Sequence, residues 1–344
     1  MGEHSTNRHQ ILSLDGGGAK ALFTAALLAE LESVTDTDVA GRFDLVAGTS
    51  AGGLIALALG AGYRPAEIVA FFKESVPEIF PAQSSLSRAS RFMRWLTRAK
   101  YDSKALQGCL RDYFGSRTLG ESCVRLVIPA CDSTRKGPHI FKTPHHRDLC
   151  TDYKVPMWQV AYATAAAPTY FPALVTDSHV HLVDGGVWAN NPAMVALAEG
   201  LGYLGWSQES IALLSIAPPK GVESGSERTA AGGVLSWGIG LLKLVLQGQS
   251  FAASNECFHI LGEQRFIRIE PEVAIRLAMD KHEPELERIG AEEARSQAVR
   301  IKEGFLRHIP IPYSPCYGVS AAPNTISREG GEYFERQSRL ERTP

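Results

Sequence analysis

A serine flanked by small residues is the first group in this chain that could do covalent chemistry. Gly48-Thr49-Ser50-Ala51-Gly52 follows the apolar run Phe43-Asp44-Leu45-Val46 and opens into Gly53-Leu54-Ile55-Ala56-Leu57. In such a G-x-S-x-G pattern a strained strand-to-helix turn holds the serine hydroxyl clear of the backbone as a nucleophile. Upstream, Ile11-Leu12-Ser13-Leu14 runs into Asp15-Gly16-Gly17-Gly18. Glycines opening a helix present unpaired backbone N–H groups to negative charge, which makes Gly16, Gly17 and Gly18 candidate donors to the oxyanion of an acyl-transfer step. Together the two turns predict a serine acyl hydrolase.

A serine hydroxyl is a weak nucleophile near neutrality and needs a base within hydrogen-bond reach. Val183-Asp184-Gly185-Gly186 places a carboxylate on a tight turn after a strand-like run, at the sheet edge where α/β folds build sites. Alone, the same turn reads first as a structural Asx-turn. The competing arrangement is a Ser-His-Asp triad, whose histidine follows the acid in α/β-hydrolases. After Asp184 stand His259, in a helix-like run, His282, in a charged one, and His308. Neither His259 nor His282 has the glycine-flanked strand-end setting of a catalytic loop.

The elements that must position these groups alternate along the chain. A helix is expected from Arg64-Pro65-Ala66-Glu67, strands at Cys123 to Ile128 and Ile211 to Ile216, and between them a helix over Val155 to Ala167 and a strand over Ala173 to Val183. Strands separated by helices imply an α/β fold: a mostly parallel central sheet with helices on both faces. Hydrophobic residues make up 44% and charged residues 21% of the 344, enough for a sizeable core. A net charge of −2 predicts no global attraction to nucleic acid. Six cysteines without C-x-x-C spacing read as reduced thiols, and no H-E-x-x-H or EF-hand spacing marks a metal site.

Asp15-Gly16-Gly17-Gly18-Ala19-Lys20, Gly48-Thr49-Ser50-Ala51-Gly52-Gly53 and Asp184-Gly185-Gly186 resemble, in order, the three signature blocks of patatin-like phospholipases. Ala163 to Pro172 and Asn190-Asn191-Pro192 resemble segments flanking the aspartate turn in that family. The likeness spans residues 9 to 310. It implies a patatin-like three-layer sandwich, a Ser50–Asp184 dyad without histidine, an oxyanion hole from the backbone of Gly16, Gly17 and Gly18, and no cofactor. It also implies a phospholipid or lysophospholipid substrate. Similar bacterial proteins include membrane-degrading antiviral effectors switched on by a cyclic nucleotide, which makes such an activator an expected partner. An esterase or thioesterase for soluble acyl groups, and a silent lipid-binding scaffold, are the alternatives; intact Ser50 and Asp184 count against the scaffold.

The expected organisation is a polar arm over 1–9, a catalytic domain over 10–310 and a polar tail over 311–344, disordered in expectation. Within the domain, 84–101 is a candidate basic lid. On a helical wheel of ~100° per residue, Leu86, Ala89, Phe92, Met93 and Leu96 share one face. Arg88, Arg91, Trp95 and Arg98 lie opposite, which suits a phospholipid surface as well as a packed surface helix. Lys20 is a further candidate headgroup contact. Phe171 and Trp188 are candidates for an acyl pocket and at least equally for the core, and Val234 to Leu246 reads as a buried helix before a membrane-binding one. With no apolar run near the ~20 residues of a bilayer span, the expected location is cytoplasmic with peripheral membrane association.

Overall fold

The computed structural model describes residues 8–81, 98–221, 234–281 and 283–318. Arg88, Arg91 and Trp95, with most of the candidate lid, lie outside them, as do 1–7 of the arm, 319–344 of the tail and His282. The expected strands appear at β1 (His9–Leu14), β2 (Leu45–Gly48), β3 (Arg125–Asp132) and β7 (Ile211–Ile216), joined by β8 (Phe266–Ile269). These five pair in parallel in the order β3-β2-β1-β7-β8.

Of the remaining strands, two run antiparallel to β3 and the third runs antiparallel to one of those. The stretch Ala173 to Val183 breaks into β5 (Leu174–Val175) and β6 (His181–Asp184), and β4 (Gly137–Lys142), not expected from the sequence, forms a hairpin with β3. The turn between β3 and β4 explains the hairpin. Asp132 Oδ1 accepts the amides of Thr134 and Arg135, and Lys136 adopts φ 57°. The sheet is therefore mixed, with a parallel centre.

Successive residues of the central strands point to opposite layers, the two-residue period of a strand buried on both faces. Leu12, Leu14, Val46, Leu126 and Ile128 pack under α1 (Leu22–Thr35), α2 (Ala51–Gly60), α3 (Pro65–Ile79), α4 (Ser103–Phe114), α5 (Met157–Ala165) and a later helix, Glu285–Ile301. Ile11, Leu45, Ala47, Val127 and Leu213 pack under Ala193–Gly202 and the C-terminal half of Val234–Leu261. Those last three helices follow a short α6 (Gly186–Ala189) and are α9, α7 and α8 respectively. All ten residues of α2 are buried. A helix apolar all round belongs inside a protein, and α2 is the one that Ser50 caps.

Two boundaries differ from expectation. Residues 311–318 are held against the domain: the Ile311 amide donates to Asp44 Oδ1 at 3.2 Å, and the Cys316 amide to the Pro144 carbonyl at 2.7 Å. The apolar helix expected from Val234 does form, yet Leu244 and Val245 are exposed, not buried as a core helix requires. Among the described residues, no helix is long and apolar enough to cross a membrane.

Candidate active site

The geometry of the site follows from a change of partner along β3. Its residues Arg125, Leu126 and Val127 pair in parallel with β2, while Ala130, Cys131 and Asp132 pair antiparallel with β6 on the same edge. The β4 hairpin occupies the other edge. Strands β2 and β6 thus point at each other end to end, and the turns leaving them, at Ser50 and Asp184, meet over Ile128 and Pro129. Pro129 suits that junction because it has no N–H to leave unpaired. Its carbonyl accepts the Thr164 hydroxyl at 2.6 Å, and the Thr164 Oγ1 accepts the Ser50 amide at 2.9 Å.

Ser50 sits at φ 55°, ψ −127°, a strained conformation for a residue with a side chain. The turn tolerates nothing larger than glycine beside it: a Cβ on Gly48 would lie 2.3 Å from the Gly52 carbonyl oxygen, and one on Gly52 2.4 Å from that of Leu14. The Ser50 hydroxyl donates to Asp184 Oδ2 at 2.6 Å, and Asp184 Oδ1 accepts the Gly186 amide at 2.7 Å. Both side chains are buried. Burial pushes the Asp184 carboxyl up to about 6, against the pull of the Ser50 hydroxyl and the Gly186 amide. Among the described residues no histidine hydrogen-bonds either group. His308, one of the candidates for a triad, is engaged with Asp44 at 2.7 Å, and His259 is exposed on α8.

The glycine turn after β1 lies against Ser50, and its three amides differ. Gly16 donates to the Asn190 carbonyl at 2.9 Å, so its N–H is not open to a substrate. Its lack of a side chain serves close approach, since a Cβ there would lie 3.1 Å from the Cβ of Ser50. The amides of Gly17 and Gly18 meet no acceptor among the described residues, and Gly18 has φ 58°. Of the three amides expected as donors, that of Gly16 is thus engaged, and those of Gly17 and Gly18 are left without an acceptor among the described residues. The next amide, of Ala19, donates to the Met279 carbonyl at 2.8 Å, which pins the end of the turn.

Asp15 anchors the start of the turn. Its two oxygens take a bidentate pair of hydrogen bonds from Arg268 Nη1 and Nη2, each 2.7 Å, across the neighbouring strand β7. Arg268 Nη1 also reaches Ser215 Oγ on β7 at 2.7 Å. Burial pushes Asp15 up to about 6, with Arg268 pulling against it, and the paired carboxylate holds the guanidinium protonated. A charged residue in the apolar run Phe266-Ile267-Arg268-Ile269 was the available signal for this contact, because buried charges are paired.

Asn190 and Asn191 tie the site to α8. Asn190 Nδ2 donates to Ser250 Oγ at 3.0 Å, and Asn191 Nδ2 to Ser254 Oγ at 2.9 Å. Thr49 Oγ1 closes the same loop by donating to the Ala189 carbonyl at 2.6 Å.

From Ser50 a cavity of about 640 Å³, counting its open mouth, runs between α2, α3 and the segment around Phe171. Leu54, Phe71, Phe72, Val76, Ile79, Phe80 and Leu106 wall it with carbon. Phe171 both lines it and belongs to the core, so its two readings hold together. Trp188 does not line it: its indole Nε1 donates to the Ala130 carbonyl at 2.7 Å, away from the cavity. Lys20 sits half-buried on a single 3₁₀ turn directly after Gly18 and Ala19, and Arg98 is exposed.

A family model described as Patatin-like phospholipase matches residues 12–197, a span holding both glycine turns, Ser50 and Asp184. The chain belongs to the patatin-like phospholipase family. A cGAMP-activated phospholipase of Pseudomonas aeruginosa is 36% identical over 262 residues, covering 75% of this chain and 77% of that one. Its Vibrio cholerae counterpart is 37% identical over 209 residues, 57% and 59% of the two chains. Patatin-like protein 2 of Arabidopsis thaliana is 35% identical over 211 residues, 55% and 52%. This chain thus spans under two thirds of the latter two. As a patatin-like phospholipase it is a hydrolase of lipid esters, with the mixed, centrally parallel sheet between helical layers described above.

Proposed function

We propose that this patatin-like phospholipase cleaves the fatty-acyl esters of phospholipids or lysophospholipids through a Ser50–Asp184 dyad and an acyl-enzyme. The observation that carries the reading is the 2.6 Å hydrogen bond from the Ser50 hydroxyl to a buried carboxylate at the head of an apolar cavity. The acyl chain enters the cavity and sets its ester carbonyl over Ser50. Asp184 takes the hydroxyl proton as Ser50 attacks, and the Gly17 and Gly18 amides receive the developing oxyanion. Asp184 returns the proton to the leaving alcohol. It then accepts one from the water that releases the fatty acid.

The weak point of a carboxylate base is its low proton affinity. Burial offsets it here: a carboxyl near 6 stays ionised at neutral pH yet holds a proton far better than an ordinary aspartate. The base works only when ionised, so activity is lost as pH falls through about 6. Below that point kcat/KM on a short-chain ester drops about tenfold per pH unit, and above it the rate is flat. A pH–rate profile without a limb between 5 and 7 would remove Asp184 from the base role.

The substrate also places this reading at a membrane surface, through peripheral contact from the cytoplasmic side. Lys20, Arg98 and the basic residues Arg88 and Arg91 with Trp95 remain the proposed contacts. The names of the bacterial relatives support a cyclic dinucleotide activator. Fatty-acid release from phospholipid vesicles, with and without added cGAMP, tests both ideas together with Ser50→Ala. Release that needs Ser50 and rises with cGAMP supports the full reading. Release that needs Ser50 but ignores cGAMP makes the enzyme constitutive.

A further inference from the structure

The link from β8 to α9 bears directly on the glycine turn beside Ser50. At Met279 its carbonyl takes the Ala19 amide at 2.8 Å, and a Cβ on Gly18 would collide with that same oxygen. Met279 also lines the cavity, together with Gly18 and Ser50. Whatever fixes Met279 therefore fixes how the link presses on the turn that carries the Gly17 and Gly18 amides. Among the described residues, the side-chain hydrogen bonds between Val273 and α9 all fall on Asp280. Its Oδ2 accepts Lys100 Nζ and, at 2.8 Å, the Tyr101 hydroxyl. Burial raises the Asp280 carboxyl, but Lys100 and Tyr101 outweigh it and hold the group below the usual aspartate range. A hydrogen bond between two charged groups is roughly twice as strong as a neutral one.

The partners of Asp280 are themselves fastened to the cavity wall. The Lys100 amide donates to the Thr169 carbonyl and the Tyr101 amide to the Tyr170 carbonyl, each at 2.9 Å. Tyr170, Phe171 and Phe80 line the cavity, and the Tyr101 ring packs on Phe80 and Phe171 with centroids 5.1 and 5.8 Å away. Asp280 thus ties the link over the glycine turn to a wall built from distant parts of the chain. It does not itself line the cavity. We propose that Asp280 is a positioning residue for the acyl-transfer step, setting through Met279 and Ala19 where the Gly17 and Gly18 amides point. The oxyanion forms only as the ester carbonyl becomes tetrahedral. Amides displaced by a slack link therefore lose hold of the transition state and not of the bound ester. The inference rests on Ser50 being the nucleophile and on these two amides receiving the oxyanion.

The test compares Asp280→Asn and Asp280→Ala with wild type, each as the full chain. Asparagine keeps the shape and loses the charge, whereas alanine removes the tie. The measurements are kcat and KM on a short-chain ester, the thermal midpoint, and binding of a long-chain trifluoromethyl ketone against the matching fatty acid. The ketone reproduces the step: the Ser50 oxygen bonds its carbonyl carbon, the hydroxyl proton passes to Asp184, and the carbonyl oxygen becomes an oxyanion. We expect kcat to fall about threefold in Asp280→Asn and about tenfold in Asp280→Ala, with KM near wild type. Ketone affinity falls by the same factors while fatty-acid affinity stays. A tie that is merely structural lowers the midpoint and leaves kcat and the ketone-to-acid ratio unchanged, which overturns the proposal. A rise in KM at constant kcat also overturns it, because Asp280 then shapes only the cavity. If Asp280→Ala does not fold, the same two readings in Asp280→Asn decide. Ser50→Ala separates this inference from the reaction beneath it. Hydrolysis that survives Ser50→Ala ends both. Hydrolysis that needs Ser50, with a ketone-to-acid ratio indifferent to Asp280, leaves the reaction standing and overturns this inference alone.

Discussion

Asp184→Asn is expected to lower kcat on a phospholipid ester by about 10⁴-fold while leaving the fold at least as stable as wild type at pH 8. The two effects have one cause. Asparagine keeps the shape of the side chain and can still accept the Gly186 amide, but it cannot take the Ser50 proton. The stability sign follows from the carboxyl standing at about 6, above its ordinary 3.8. A group raised in the folded state adds stability below its unfolded value, and that contribution is lost as pH rises through 6. At pH 8 the native protein therefore holds an ionised, buried carboxylate at a cost on the order of 3 kcal/mol, which the neutral amide does not bear. Calorimetry at pH 8 and pH 5 checks this. The variant should gain or hold its midpoint at pH 8 and show less difference at pH 5. Ser50→Ala removes the nucleophile and should abolish turnover without that pH signature. An Asp184→Asn protein that hydrolyses within tenfold of wild type sinks the dyad. One that unfolds at both pH values makes the aspartate structural.

The parts of this molecule readable from sequence are those where a local rule and the tertiary structure agree. The serine turn is one, since the crowding at Gly48 and Gly52 admits only glycine on either side of the strained Ser50. The parallel strands are another, because burial on both faces writes itself as an unbroken apolar run. What was not readable depended on partners distant in the chain. Gly16, Gly17 and Gly18 look alike in sequence, yet Asn190 occupies the first amide and leaves the others. Thr164 lies inside a block that resembles the family, but its bridge between Pro129 and the Ser50 amide becomes visible only when β3 changes partner. The hairpin strand β4 is partly exposed, so its pattern did not separate it from a loop, and the one strand expected over Ala173 to Val183 concealed the break between β5 and β6. Trp188 shows the opposite case: it was a candidate for the pocket, and its N–H found a carbonyl instead.

Arg268 extends that lesson to catalysis at a distance, and it is the residue whose loss should be felt most widely. Arg268→Met leaves Asp15 buried, charged and alone, which typically destabilises by about 3–5 kcal/mol. Adding Asp15→Asn removes the stranded charge, so the double variant should recover most of the lost stability, a coupling of more than 1 kcal/mol in a double-mutant cycle. Activity should not recover with it. The Asp15–Arg268 clamp and the Ala19–Met279 bond hold the two ends of the turn that carries the Gly17 and Gly18 amides, so a slackened turn weakens contacts made to the oxyanion only in the transition state. That predicts a stable double variant with KM near wild type and kcat lower by about 10²-fold. A purely structural clamp predicts the reverse, with kcat returning alongside the melting temperature. The split between kcat and KM in the stable double variant therefore decides whether Arg268 only holds β8 to β1 or also aims the two amides at the reacting carbonyl.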